Sequence, residues 1–196
     1  MAVLIAFIHK PLLSIQFTTM TENNQTLPPA AAALTDINVA DQNSKLDHGV
    51  NLADALNPYF RPDEQTIVCG ALDSEKVAAL AKAGVELVIN LQTDEELEFD
   101  EAAAVKQAGM AYEHLPINGA ADLKQLNILE FDKILRQHHG KKMAMHCGSG
   151  NRAGAAMALR AGWLRGRKMD TAMQSGRSHG MTKLEEEVHN RLLVPR

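Results

Sequence analysis

Aromatic side chains are scarce in this chain: one Trp, two Tyr and five Phe among 196 residues. A core must therefore be built mostly from Ala, Val, Ile, Leu and Met, and a base-stacking surface for nucleic acid has little to work with. Cysteine is scarcer still, with only Cys69 and Cys147. That excludes a disulfide framework, and no CxxC spacing points to zinc. A reducing, cytoplasmic compartment is the simpler setting, and neither a metal nor a cofactor is called for. Long apolar runs are also missing. "MAVLIAFI" opens the chain with eight apolar residues, short of the roughly 18 needed to span a bilayer. No positive charge precedes it, as a secretory signal requires, and Met20 is an alternative start.

What remains is ordinary for one globular domain, with 45% apolar and 22% charged residues. The net charge of −4 is unevenly spread. Residues 141–196 carry eleven Lys/Arg against four Asp/Glu. This excess favours an anionic ligand at that end of the chain, or equally reflects the solvated faces of terminal helices.

Residues 21–48 are polar, with a Pro pair and an alanine run but no sustained apolar period. Residues 1–54 read as a mobile N-terminal extension and 55–196 as the folded domain. From there strands alternate with helices. "QTIVCG", "VELVINL", "MAYEHLPI" and "KKMAMHC" are the strands. "DSEKVAALAKAG" is a helix capped by Asp73 or Ser74 and stopped by Gly84. "DEELEFDEAAAVKQAG" is a second, with its acids in the first turns. "DLKQLNILEFDKILRQHHG" is a third, with an apolar face of Leu123, Leu126, Ile128, Leu129, Phe131, Ile134 and Leu135. Three helical segments follow, and the lone Trp163 lies in one at a spacing that suits core packing. The alternation predicts an α/β fold, a mostly parallel four- to five-stranded sheet flanked by helices on both faces. Ligands in such sheets bind beyond the carboxyl ends of the strands.

At one such end lies "MAMHCGSGNRAGAAMAL", residues 143–159. Gly148 and Gly150 let successive N–H groups turn inward as an anion nest. The following helix aims its unpaired N–H groups at the same spot, and Arg152 adds a fork suited to an oxyanion. A cysteine at the floor of such a loop is stabilised as thiolate and aimed at the central atom of a bound oxyanion. His146, one residue earlier on the strand, points to the other face and orients the loop. The competing reading, a small buried residue at a tight turn, suits Cys69 better than Cys147.

"HCGSGNRAG" resembles the phosphate loop of cysteine-dependent protein phosphatases, with Arg152 one residue early: Cys-x4-Arg in place of Cys-x5-Arg. The shorter spacing is also that of rhodanese-type sulfurtransferases, which carry a persulfide on the cysteine. Together with "GVELVINLQTDEE", "AAAVKQAGMAYEHLPING" and "SGRSHGMTKLEEEV", the loop is similar to a bacterial group of dual-specificity-like phosphatases, over about residues 57 to 194. That group includes the phosphatase-like domains found with beta-lactamase-like hydrolases or fused to NAD kinase. The resemblance implies a cysteine-phosphatase-like fold, a phosphorylated protein or small-molecule substrate, and a phosphocysteine on Cys147. The N–H groups of Gly148, Ser149, Gly150, Asn151 and Arg152 would bind phosphate. Sulfur transfer, and phosphate binding without turnover, are the alternatives.

The chain departs from the group in two places. Where related enzymes carry an acidic Asp after the preceding strand, it has Asn118. Asp122 is the next candidate for the acid, or else a helix N-cap; Asp94 and Glu95 are weaker ones that decorate a helix start. Where many relatives place a hydroxyl after the Arg, it has Ala153, so Ser149 either substitutes or caps a turn.

Overall fold

The structure, a computed structural model, describes residues 46–194. Residues 1–45, which include most of the expected extension and Met20, lie outside the described residues, as do 195 and 196.

A five-stranded sheet organises the fold: β1 (Tyr59–Phe60), β2 (Thr66–Cys69), β3 (Leu87–Asn90), β4 (Ala111–His114) and β5 (Met143–His146). The spatial order is β1-β2-β5-β3-β4, parallel throughout except for β1, which pairs antiparallel with β2. The short edge strand β1 is an addition to the four strands legible in the sequence. Side chains alternate between the two faces, as the pleat requires. Val68, Leu87, Ile89 and Met145 join one buried cluster; Ile67, Cys69, Val88 and Ala144 join the other.

Helices cover both faces. On one lie α1 (Leu52–Ala55), α2 (Ser74–Lys82) and α3 (Glu101–Gln107); on the other lie α4 (Gln125–Gln137), α5 (Asn151–Leu159), α6 (Met169–Ser178) and α7 (Glu185–Leu193). Asp73 caps α2, accepting from Lys76 N, and Gly84 ends it with φ +79°. After α5 the chain widens into a π turn, Arg160–Leu164, where Trp163 packs partly buried against the core.

Three expectations need correction. The fold begins before residue 55: Leu52 and Leu56 are buried, and the Asp47 carboxylate sits between Arg61 and Lys142 Nζ, the latter at 2.6 Å. The acidic helix over 94–109 is broken. A single 3-10 turn spans Asp94–Glu96, and α3 starts only after Asp100, whose side chain caps it by accepting from Ala103 N at 3.0 Å. In α4 the buried face is Ile128, Phe131, Ile134 and Leu135, whereas Leu126 is 78% and Leu129 44% exposed. With seven apolar residues available, more than one stripe satisfies the helical period.

Candidate active site

β5 lies between β2 and β3, so its carboxyl end opens at the middle of the sheet edge. Cys147 follows directly and is 1% exposed, at the floor of the turn into α5. Gly150 makes that turn with φ +77°, a left-handed conformation that L side chains rarely adopt. A Cβ there would also meet Phe60 at 3.3 Å and Val68 at 3.4 Å. An isolated bridge between Ser149 and Gly70 fastens the loop to the end of β2, and Gly154 N donates to Gly150 O at 3.0 Å to begin α5. The Asn151 side-chain oxygen is engaged: Oδ1 accepts from Thr182 N at 2.8 Å, tying the loop to the segment before α7.

Arg152 is 12% exposed and firmly held. Nη1 donates to Glu96 Oε2 at 2.6 Å and Ile117 O at 2.9 Å, with Leu91 O at 3.3 Å, and Nη2 donates to Glu96 Oε1 at 2.6 Å. Nε has no partner among these bonds. The guanidinium is thus gripped from its far edge, and the Nε–Nη2 edge is left over. Gly148 lies beside it, since a Cβ on Gly148 would stand 3.5 Å from Nη2. Burial works against the Arg152 charge, but Glu96 and the nearby Cys147 sulfur outweigh it and raise its pKa. The same pairing holds the Glu96 carboxyl down to about 2.

Glu96 is a site residue that the sequence reading missed. Two signals pointed to it: Thr93-x-x-Glu96 is a capping box, with Thr93 N donating to Glu96 Oε2 at 2.8 Å, and the segment leaves the carboxyl end of β3, the strand beside β5.

His146 points away from the loop, as the strand alternation requires. Its Nε2 shares a 2.7 Å hydrogen bond with Glu101 Oε1; both side chains are buried, on the α1–α3 face. Nδ1 has no partner among the described residues. In register with His146, Cys69, Asn90 and His114 end the neighbouring strands, so four polar side chains form a row behind the loop. Burial, then the neighbouring Cys147, push the Cys69 thiol well up, which suits an inert core residue.

Asp122 does not stand free. It closes the 3-10 turn Gly119–Asp122, where Oδ2 accepts from Asn118 N at 3.1 Å and Oδ1 pairs with Lys124 Nζ at 3.2 Å. Those bonds, the backbone one first, hold its carboxyl below the ordinary range. Asp94 lies 3.7 Å from His114 Nδ1 and is 82% exposed.

The basic excess of the C-terminal third is largely spent elsewhere. Arg160 and Arg165, with Arg136, converge on the buried Asp132; Arg177 pairs with Glu185 and Arg191 with Glu187. The charge shown against Arg152 is instead an acid of the loop 94–100, Glu96. Among the described residues, no group of three or more His, Cys, Asp or Glu is placed to hold a metal ion, and no helix is long and apolar enough to cross a membrane.

Several solved structures share this fold. A DUF442 protein from Shewanella putrefaciens CN-32 is similar over 72% of this chain and 94% of its own, with 24% identity and a TM-score of 0.57. A Neisseria meningitidis Z2491 protein matches over 67% and 96%, at 19% identity and TM-score 0.56. P. aeruginosa TpbA, solved in complex with pTyr, matches over 71% and 84%, at 18% identity and TM-score 0.55. No curated protein sequence matches the chain. A family model, PTP-SAK, "Swiss Army Knife protein, DSP-PTPase phosphatase domain", matches residues 65–189. That match favours phosphorus over sulfur as the atom attacked. The chain belongs to this family of dual-specificity-type phosphatase domains, and is a cysteine-dependent phosphatase, a phosphoric monoester hydrolase acting on phosphorylated substrates.

Proposed function

We propose that Cys147 is the nucleophile and that Gly148 to Arg152 form the phosphate cradle. The observation that carries this reading is the cysteine at the floor of a left-handed glycine turn, with the Arg152 guanidinium beside it and Nη2 next to Gly148. The loop amides and the N-terminus of α5 supply positive potential to the phosphoryl oxygens. Arg152 adds two donors through Nε and Nη2, a bidentate grip on equatorial oxygens. The Cys147 sulfur attacks phosphorus, the P–O bond to the leaving group breaks, and a phosphocysteine forms. Water then attacks that phosphorus and releases phosphate and the thiolate. His146 and Glu101 act from behind, fixing the strand end from which Cys147 projects. The substrate is a phosphorylated protein or small molecule, and two free cysteines fit work in the reducing cytoplasm.

The test is hydrolysis of p-nitrophenyl phosphate by the protein and by Cys147→Ser. Turnover should fall by at least about 10³-fold, since removing an attacking nucleophile costs several powers of ten. Unchanged activity in the variant would overturn the assignment.

A further inference from the structure

Asp132, on α4, is 5% exposed. A buried carboxylate needs a cation beside it, and one matches its charge. Three are present. Arg160 Nε donates to Asp132 Oδ1 at 2.7 Å, and Arg165 Nη2 donates to the same oxygen at 2.6 Å. Arg136 Nε stands 3.0 Å from Oδ2. One of the three positive charges is matched and two are left over. The neighbouring acid of α4, Glu130, pairs with Lys133. Past Arg165 come Arg167 and Lys168, both exposed, which enlarge the surplus before Asp170 opens α6. A cation at a helix C-terminus answers the helix dipole. That accounts for Arg136 in the last turn of α4 and for Arg160 at the end of α5. It does not account for Arg165, which returns onto Asp132 from beyond the π turn.

Beside Arg160 a cavity of about 630 Å³ opens at the amino end of the sheet, where β2 and β5 begin. Small-molecule sites occupy roughly 300–1,000 Å³. Met143, Met145 and Met157 give this one apolar, adaptable walls. Asp63 and Glu64 line it with Lys141 and Arg160, so the cavity itself is balanced in charge and the surplus stays with the arginine cluster. Helix α5 separates this place from the cradle by roughly 14 Å, at 1.5 Å per residue.

We propose that Arg136, Arg160 and Arg165, held by Asp132, form a second phosphate site at the far end of α5 from the cradle, and that its ligand is a phosphate monoester whose organic part enters the adjoining cavity. Each guanidinium spends one nitrogen on Asp132 and carries two more. Such forks grip phosphate oxygens bidentately. A phosphate monoester carries a charge of about −1.5 to −2 at neutral pH, which matches the surplus. Asp132 fixes the guanidinium groups beforehand, so little order is lost on binding. The site binds its ligand whichever atom Cys147 attacks.

The test is a ¹⁵N NMR titration of the full chain carrying Cys147→Ser, with inorganic phosphate, ribose 5-phosphate and N-acetyl-phosphoserine amide. The signals of residues 160–165 should shift saturably, apart from those of 148–152, and at least one ester should bind more tightly than inorganic phosphate. The tighter ester assigns the site to a sugar phosphate or to a phosphorylated protein. Arg136→Gln and Arg165→Gln each leave Asp132 two cations, so the fold is kept. Each should weaken the response at 160–165 about tenfold or more, the scale of a charge-assisted hydrogen bond, and leave that at 148–152 within about twofold. No saturable shift at 160–165 overturns the proposal. So does a shift reproduced by chloride at equal ionic strength, or an unchanged affinity in both arginine variants. Inorganic phosphate binding more tightly than both esters overturns the monoester assignment. Ester turnover that survives Cys147→Ser would instead overturn the reading of the cradle and leave the second site standing.

Discussion

The guanidinium of Arg152 has two edges, and the protein uses them differently. Glu96 and the carbonyls of Ile117 and Leu91 take the far edge, which fixes the plane of the group before any phosphate arrives. A preset donor needs no reorganisation during the reaction. Glu96→Gln keeps the shape but loses the charge and one of the two matched acceptors. A charge-assisted hydrogen bond is worth about 1.5–3 kcal/mol, so kcat/KM should fall by roughly 10- to 100-fold, with a parallel weakening of vanadate inhibition measured by steady-state kinetics. The pair should persist in acid. The Glu96 carboxyl sits at about 2 against an ordinary 4.5, so its contribution is complete above 4.5 and disappears only as the pH falls through about 2. Cys147 and Arg152 were legible because the loop chemistry is local: glycine, helix start and cation lie within six residues. Glu96 lies 56 residues from Arg152, and its capping box with Thr93 marks the start of a turn without naming the arginine as its partner.

Secondary structure was legible where caps and period agree, as in α2. It was less so where composition offered too many choices. In α4 the outward Leu126 and Leu129 fit the helical period as well as the residues that are buried. In the acidic stretch after β3, Asp100 serves as a second N-cap and restarts the helix. The packing of α5 on α6 is tighter than any pattern conveys. A Cβ added at Gly154 would stand 2.3 Å from Met181 N and 2.6 Å from Gly176 O, backbone atoms with nowhere to retreat. Gly154→Ala gains helix propensity, but overpacking costs roughly 1–3 kcal/mol or more. A net loss of stability should appear as a lower urea midpoint. Because α5 starts at the cradle, phosphatase activity should fall with it.

At the scale of the molecule, one buried carboxylate joins the first described residues to the sheet. Asp47 belongs to a polar stretch, yet its side chain is 7% exposed and lies between Arg61 and Lys142, which joins the first described residues to the start of β5. Burial alone would raise its pKa, but the two cations outweigh it and hold it below the ordinary 3.8. Asp47→Asn leaves both cations without their partner, and breaking a buried pair costs about 3 kcal/mol. Urea unfolding should show a gap of that size from pH 5 to 7. It should narrow below about pH 3.8, where the natural carboxylate takes up a proton and loses its own contribution.

The sheet order has a further meaning for how the enzyme fails. β5 is hydrogen-bonded on both sides, by β2 and β3, and the cradle is pinned to β2, to α5 and to the segment before α7. The β5 amides, paired on both sides, should be among the slowest to exchange in hydrogen-exchange measurements. Fraying of an edge such as β1 or β4 leaves the nucleophile where it was. Loss of catalysis on heating should therefore follow the melting of the central strand more closely than the fraying of either edge.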